Sequence, residues 1–115
     1  MLSVLHRFHG HGSLRYVYKN GQAIRSRLIT IKYIENTRRQ HSRFAVVVSK
    51  KVHKSAVGRN RIRRRVYEVV RLEMPKFKSP HDVAVMVFSS ELISLPQEEL
   101  AETIRDLFTQ ADLYK

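Results

Sequence analysis

The sequence predicts a single α+β domain: an α/β sandwich with a mixed central sheet, three helices and a β-α-β unit. Three observations predict it. The length of 115 residues is that of one domain, read as spanning residues 1–115, and a hydrophobic content of 43% is enough for one core. The apolar residues recur with helical spacing in three segments and with strand spacing in three others. Two strands that are apolar on both faces also flank an amphipathic helix, which is the pattern of a β-α-β crossover.

In order along the chain, residues 13–20 read as a short helix. Ser13 is placed to cap its N-terminus, Leu14, Val17 and Tyr18 share one face, and Asn20-Gly21 tolerates the backbone that ends it. Residues 24–34 read as a strand, because Ile29, Ile31 and Tyr33 alternate with Thr30 and Lys32. The polar stretch Glu35 to Ser42 is a turn. Residues 43–50 form a second strand in which Phe44-Ala45-Val46-Val47-Val48 is apolar on both faces, the mark of a central strand covered on both sides. Ser55 caps a second helix that runs to about Met74, where Pro75 blocks it. Asp82 to Phe88 is a third buried strand. The last helix starts near Pro96 with Glu98 and Glu99 in its first turn, and buries Leu100, Ile104, Leu107, Phe108 and Ala111.

Charge is the strongest functional signal. The net charge is +12, so the natural partner is a polyanion, with nucleic acid ahead of an anionic membrane surface. Residues 1–78 carry 20 Lys/Arg against 3 Asp/Glu, whereas residues 79–115 carry 2 against 7. The binding surface therefore belongs to the first two thirds and the rest is scaffold. There are no cysteines, which excludes a disulfide framework, a thiolate nucleophile and Cys-based zinc sites. The longest apolar run, Val83 to Phe88, is too short to cross a bilayer, and His6 and Arg7 interrupt the N-terminus before a secretory signal can form. The expectation is a cytoplasmic protein without a membrane partner.

The charge concentrates between Ser49 and Glu68, where eight Lys/Arg and one Glu fall in twenty residues. Ile62, Val66, Val69 and Val70 continue through the run at helical spacing, so the arginines are displayed on a folded helix. At about 100° per residue, with Arg59 at zero, the buried residues fall between about 280° and 20°. Asn60, Arg64, Tyr67 and Arg71 fall between about 80° and 140°, flanked by Arg61 and Arg65 on one side and Arg63 on the other. A guanidinium offers phosphate a planar fork of donors and is always charged, so this stripe reads as a phosphate-binding surface. Glu68 lies i+4 from Arg64 and i−3 from Arg71, where it holds their rotamers.

Lys50-Lys51, Ala56-Val57, Arg59-Asn60, Arg63-Arg64 and Glu68, in that order, resemble the signature of the protein subunit of bacterial ribonuclease P. The similarity extends to Arg7-Phe8, Leu14, Val17-Tyr18 and Gly21, and to the end of the last helix at Leu113-Tyr114-Lys115. It implies a cofactor protein of a catalytic RNA that removes the 5′ leader of precursor tRNA. It also implies a left-handed β-α-β crossover, against the right-handed rule. The catalytic RNA would be met by Lys50, Lys51, Lys54, Arg59, Asn60, Arg61, Arg63, Arg64, Arg65 and Arg71. The leader would enter a cleft between the first helix and the sheet, lined by Leu14, Tyr18, Arg25, Arg27, Lys32 and Tyr33, with tyrosines as stacking surfaces. The chain departs from the family in having Leu14 where the first cleft aromatic stands and Tyr67 where an Arg is common.

No catalytic residue and no protein metal site is expected. Only Glu35, Glu68 and Glu73 are acidic in residues 1–78, whereas metal-dependent nucleases cluster carboxylates. Mg2+ would be bound mainly through the partner RNA, and none by the protein alone. His6, His9 and His11 read as an RNA-contacting arm in preference to a metal site. The competing readings are a basic ribosomal or other structural RNA-binding protein and a standalone nuclease acting through histidines.

Overall fold

A computed structural model of the chain describes residues 11–36 and 40–115. The proposed arm at His6 and His9, and part of the turn between Glu35 and Ser42, lie outside the described residues. The elements are α1 (His11–Asn20), β1 (Gln22–Arg25), β2 (Ile29–Glu35), β3 (Arg43–Val48), α2 (Ala56–Glu73), β4 (His81–Val87) and α3 (Gln97–Gln110). Short 3-10 turns at Met74–Lys76 and Ser90–Ile93 lead out of α2 and out of β4. The strands form one sheet in the order β1-β2-β4-β3, with β3 parallel to β4 and the other pairs antiparallel. The β3-α2-β4 segment is the expected β-α-β unit.

Three sequence expectations need correction. The strand expected over 24–34 is two strands joined by a tight turn. The Ser26 hydroxyl donates to Ile29 O at 2.6 Å and accepts from Ile29 N at 3.2 Å, so one side chain closes the hairpin. Arg-Ser-Arg at 25–27 contains neither Gly nor Pro, which hides the turn. β3, expected in the centre, is an edge strand, and β4 is the inner strand that pairs on both sides. Accordingly Ala45 and Val47 are only half-buried. Helix α1 begins at His11, so Ser13 falls inside the helix instead of at its cap.

The two faces of the sheet are unlike. Ile29, Ile31, Phe44, Val46, Val48, Val83, Val85 and Val87 point to one face, where they pack with Ile62, Val66 and Val70 of α2 and with Leu100, Ile104, Leu107 and Phe108 of α3. Phe77 knits this layer at its end, with ring centroids 5.7 Å from Phe44, 5.1 Å from Phe108 and 5.9 Å from Tyr114. The opposite face presents Thr30, Lys32, Ala45, Val47, Ala84 and Met86, and α1 lies across it against β2 and β4. Val17 is the fully buried anchor of α1. Gly21 lets the chain turn from α1 into β1: a Cβ there would stand 2.6 Å from Val17 O and 2.8 Å from Tyr33 O.

Two buried polar clusters hold the frame. The Arg43 guanidinium donates to both carboxylate oxygens of Asp82, at 3.0 and 2.7 Å, across the β3-β4 pair, and Asn36 donates to the same carboxylate at 3.0 Å. Glu73, buried at the end of α2, accepts from the Tyr114 hydroxyl at 2.9 Å and faces Lys76 and Arg105 at 3.5 and 3.9 Å. Burial, with the Glu73 carboxylate beside it, raises the Tyr114 phenol far above its ordinary value. Tyr114 therefore stays a neutral donor that ties the C-terminal residues to α2.

Candidate RNA-binding surfaces

The first surface is built on the entry to α2. Ser55 caps the helix, its Oγ accepting from Gly58 N at 3.3 Å. The loop before it folds back on the helix. His53 Nδ1 accepts from Ser55 N at 3.2 Å, and the His53 ring lies over Gly58 so closely that a Cβ there would meet it at 2.2–2.6 Å. Arg59 closes the loop from the helix side, donating from one nitrogen to His53 O and Lys54 O, both at 2.9 Å. Lys50, Lys51 and Lys54 are left exposed on this pinned loop.

Along the helix, Asn60, Arg61, Arg64, Glu68 and Arg71 are exposed and form the polar stripe, and Ala56, Val57 and Leu72 are exposed as well. Asn60 Oδ1 accepts from Arg63 at 2.5 Å, which orients that guanidinium. Arg71 pairs with Glu68 at 3.1 Å, and this bond with its charge holds the Glu68 carboxyl below its ordinary value. Among the described residues, Arg61 and Arg64 make no ion pair. Their donors are available to an outside anion.

One member of the expected set, Arg65, and one residue of the stripe, Tyr67, behave otherwise. Arg65 turns inward and donates to Leu92 O, Leu95 O and the Gln97 side chain, so its fork is spent on fastening the 92–97 segment to α2. In this structure its donors serve the fold. Tyr67 is buried in the core, although the helical wheel placed it in the stripe. It lies next to the buried arc and joins the core cluster, so the buried face is wider than the apolar spacing alone implies.

The second surface is the groove between α1 and the opposite sheet face. Tyr18 is half-buried, and burial raises its phenol above the ordinary value, keeping the ring neutral. Lys32 donates to Tyr18 O at 3.3 Å and lies 5.4 Å from the Tyr18 ring centroid, so this lysine fixes the tyrosine by a hydrogen bond and a cation–π contact. Leu14 is half-buried one turn earlier on α1. Arg25 pairs in register with Thr30, which puts it on the same sheet face, and it is exposed. Arg27 sits in the hairpin turn, exposed, and pairs with Glu91 at 3.3 Å. Tyr33 does not belong to this groove. It alternates with Lys32, packs against the main core on the other face, and donates from its hydroxyl to Gln22 at 3.0 Å.

Sequence reading missed Val47, Met86 and Phe88, which share the face of Lys32 and are half-buried or exposed. A strand apolar at every position gives no sign of which face is left open; the edge position of β3 is what uncovers it.

Comparison with known proteins agrees with this frame. A family model described as Ribonuclease P matches residues 2–112. The "Ribonuclease P protein component" of Coxiella burnetii is 36% identical over 113 residues, covering 96% of this chain and 88% of that protein. The protein of the same name from Synechocystis is 31% identical over 97 residues, covering 84% and 77%. Among solved structures, an RNase P protein of Staphylococcus aureus superposes with a TM-score of 0.83 at 20% identity, covering 96% of this chain and 98% of that one. The RNase P protein of Thermotoga maritima gives 0.76 at 21% identity, covering 84% and 89%.

Proposed function

The chain belongs to the ribonuclease P protein family and is a subunit of that tRNA-processing endoribonuclease; from this premise we propose how its two surfaces divide the work. The exposed stripe of α2, with Lys50, Lys51 and Lys54 on the loop before it, binds the catalytic RNA of the enzyme. The groove between α1 and the sheet receives the single-stranded 5′ leader of precursor tRNA. Family membership removes the ribosomal-protein reading.

The observation that carries the proposal is the placement of the two surfaces. α2 covers one face of the sheet and α1 the other, which leaves room for one small protein to engage two RNAs at once. On the α2 side, Arg61 and Arg64 face outward and pair with no carboxylate among the described residues, and Arg63 is held by Asn60. Placing cations between two polyanions lowers their mutual repulsion, a sequence-independent effect that salt weakens. On the α1 side, a neutral, half-buried tyrosine steadied by Lys32 offers a π-face that accepts any base.

In this reading the protein has no catalytic residue of its own, and hydrolysis proceeds on Mg2+ held mainly by the RNA. Among the described residues no three His, Asp or Glu side chains come together as a cation site. Asp82, Glu73 and Glu68 are each engaged by arginine, lysine or tyrosine. The proposal places the work in the cytoplasm, with no membrane partner; no helix among the described residues is long and apolar enough to cross a bilayer.

The test is binding of precursor and mature tRNA to the assembled particle with Tyr18→Ala. Precursor binding is expected to weaken by ~1–3 kcal/mol if one base stacks there, with mature tRNA unaffected. Equal losses for both would refute the leader groove. Protein freed of RNA should not cleave precursor tRNA, and cleavage by it would refute the division of labour.

A further inference from the structure

β4 runs on into an aromatic side chain that the core does not use. Phe88 follows Val87, its N–H donating to Leu28 O at 2.9 Å, and its side chain is 60% exposed. Alternation puts it on the face of Ala84 and Met86, the face that α1 crosses and that carries Lys32. A single exposed apolar residue usually needs no explanation. This one continues the half-buried floor of Val47 and Met86 and is flanked by cations. Arg25 shares the sheet row of Thr30, Met86 and Val47, and Arg27 precedes Leu28, the hydrogen-bond partner of Phe88. The nearby carboxylate, Glu91, is paired with Arg27.

We propose that Phe88 is a second stacking platform for the single-stranded leader, at the far end of the groove that Tyr18 occupies. The inference rests on the leader reading above and extends it by a subsite. Ala84 is the register partner of Lys32, which holds Tyr18, and Phe88 lies four residues further along β4. At about 3.3 Å per residue that is ~13 Å, too far for one base to touch both rings. Tyr18 and Phe88 therefore stack different nucleotides, with Arg25, in the row of Met86, beside the intervening backbone. A second copy of this chain fits the patch poorly, because a two-fold contact would bring these arginines against their own copies.

The experiment measures affinity of the assembled RNA–protein particle for precursor tRNAs whose leaders are shortened one nucleotide at a time. Phe88→Ala is expected to weaken binding of the full-length leader about tenfold and leave mature tRNA unchanged. Its loss should vanish at a different leader length from that of Tyr18→Ala, because the two rings hold different nucleotides. Phe88→Tyr should restore binding, and Phe88→Leu, which keeps bulk without a π-face, should not. Leader-dependent loss for Tyr18→Ala with none for Phe88→Ala would overturn the second platform and leave the groove standing. No leader-dependent loss for either would overturn both. Wild-type binding by Phe88→Leu, or a change in self-association of the protein with unchanged leader binding, would also overturn the platform.

Discussion

Removing Arg61 and Arg64 together should alter RNA binding and leave the fold intact, whereas removing Arg65 should do the reverse. Arg61 and Arg64 are exposed on α2 and make no ion pair among the described residues, so Ala in their place should change stability by no more than about 0.5 kcal/mol. Each phosphate contact contributes about 0.9 to the slope of log affinity against log salt. Two contacts therefore lower the slope by about 2. A fourfold rise in salt is ~0.6 log units, so the gap between native and double variant should narrow roughly tenfold from about 50 to 200 mM. Arg65→Ala instead removes the donors that serve Leu92 O, Leu95 O and the Gln97 side chain. Leaving partly buried carbonyls without donors costs about 1–3 kcal/mol, and the salt slope should stay at its native value. The assay is filter binding of the catalytic RNA across a salt series, paired with denaturant unfolding. An unfolded Arg61→Ala/Arg64→Ala protein, or an Arg65→Ala protein of native stability and reduced slope, would refute the assignment of inward and outward arginines.

Two further outcomes follow from the same geometry. Asp82→Ala leaves the buried Arg43 guanidinium without its carboxylate, and unfolding experiments should show a loss of about 3–5 kcal/mol. Gly58→Ala drives a methyl into the His53 ring; the ring can swing away, so stability should change by under ~1 kcal/mol, but the His53–Ser55 bond goes with it and the lysine loop loosens. Affinity for the catalytic RNA should then fall, and His53→Ala added to Gly58→Ala should not restore it, which RNA titration of the single and double variants checks.

Much of this was legible because the physics was local. The capping of α2 by Ser55, its stop before Pro75, and the buried face of Ile62, Val66 and Val70 depend on spacing within one helix. So does the buried face of α3 from Leu100 to Phe108. What was not legible was which strand lies beside which. Phe44–Val48 of β3 and Val83–Val87 of β4 are both unbroken apolar runs that do not say which is inner; pairing β4 between β2 and β3 is a long-range choice.

That choice determines function. With β3 at the edge and α1 packed against β2 and β4, Val47, Met86 and Phe88 are left half-buried or exposed on the face of Lys32. A central β3 would have a strand on both sides and its outer edge closed. The same alternation decides which tyrosine lies in the groove. Lys32 and Tyr33 are neighbours in sequence, yet Lys32 reaches Tyr18 across the groove while Tyr33 faces the core. Arg65 makes the parallel point for α2. Composition counts it with the other arginines, but the residues it holds, Leu92, Leu95 and Gln97, lie about thirty positions away. A cation's role in this protein is thus set less by its place in the basic run than by whether a carbonyl or carboxylate from a distant segment has already claimed its donors. Among the described residues, Arg61 and Arg64 are the exposed arginines of α2 whose donors no other group claims, which is why the proposal gives them to the catalytic RNA.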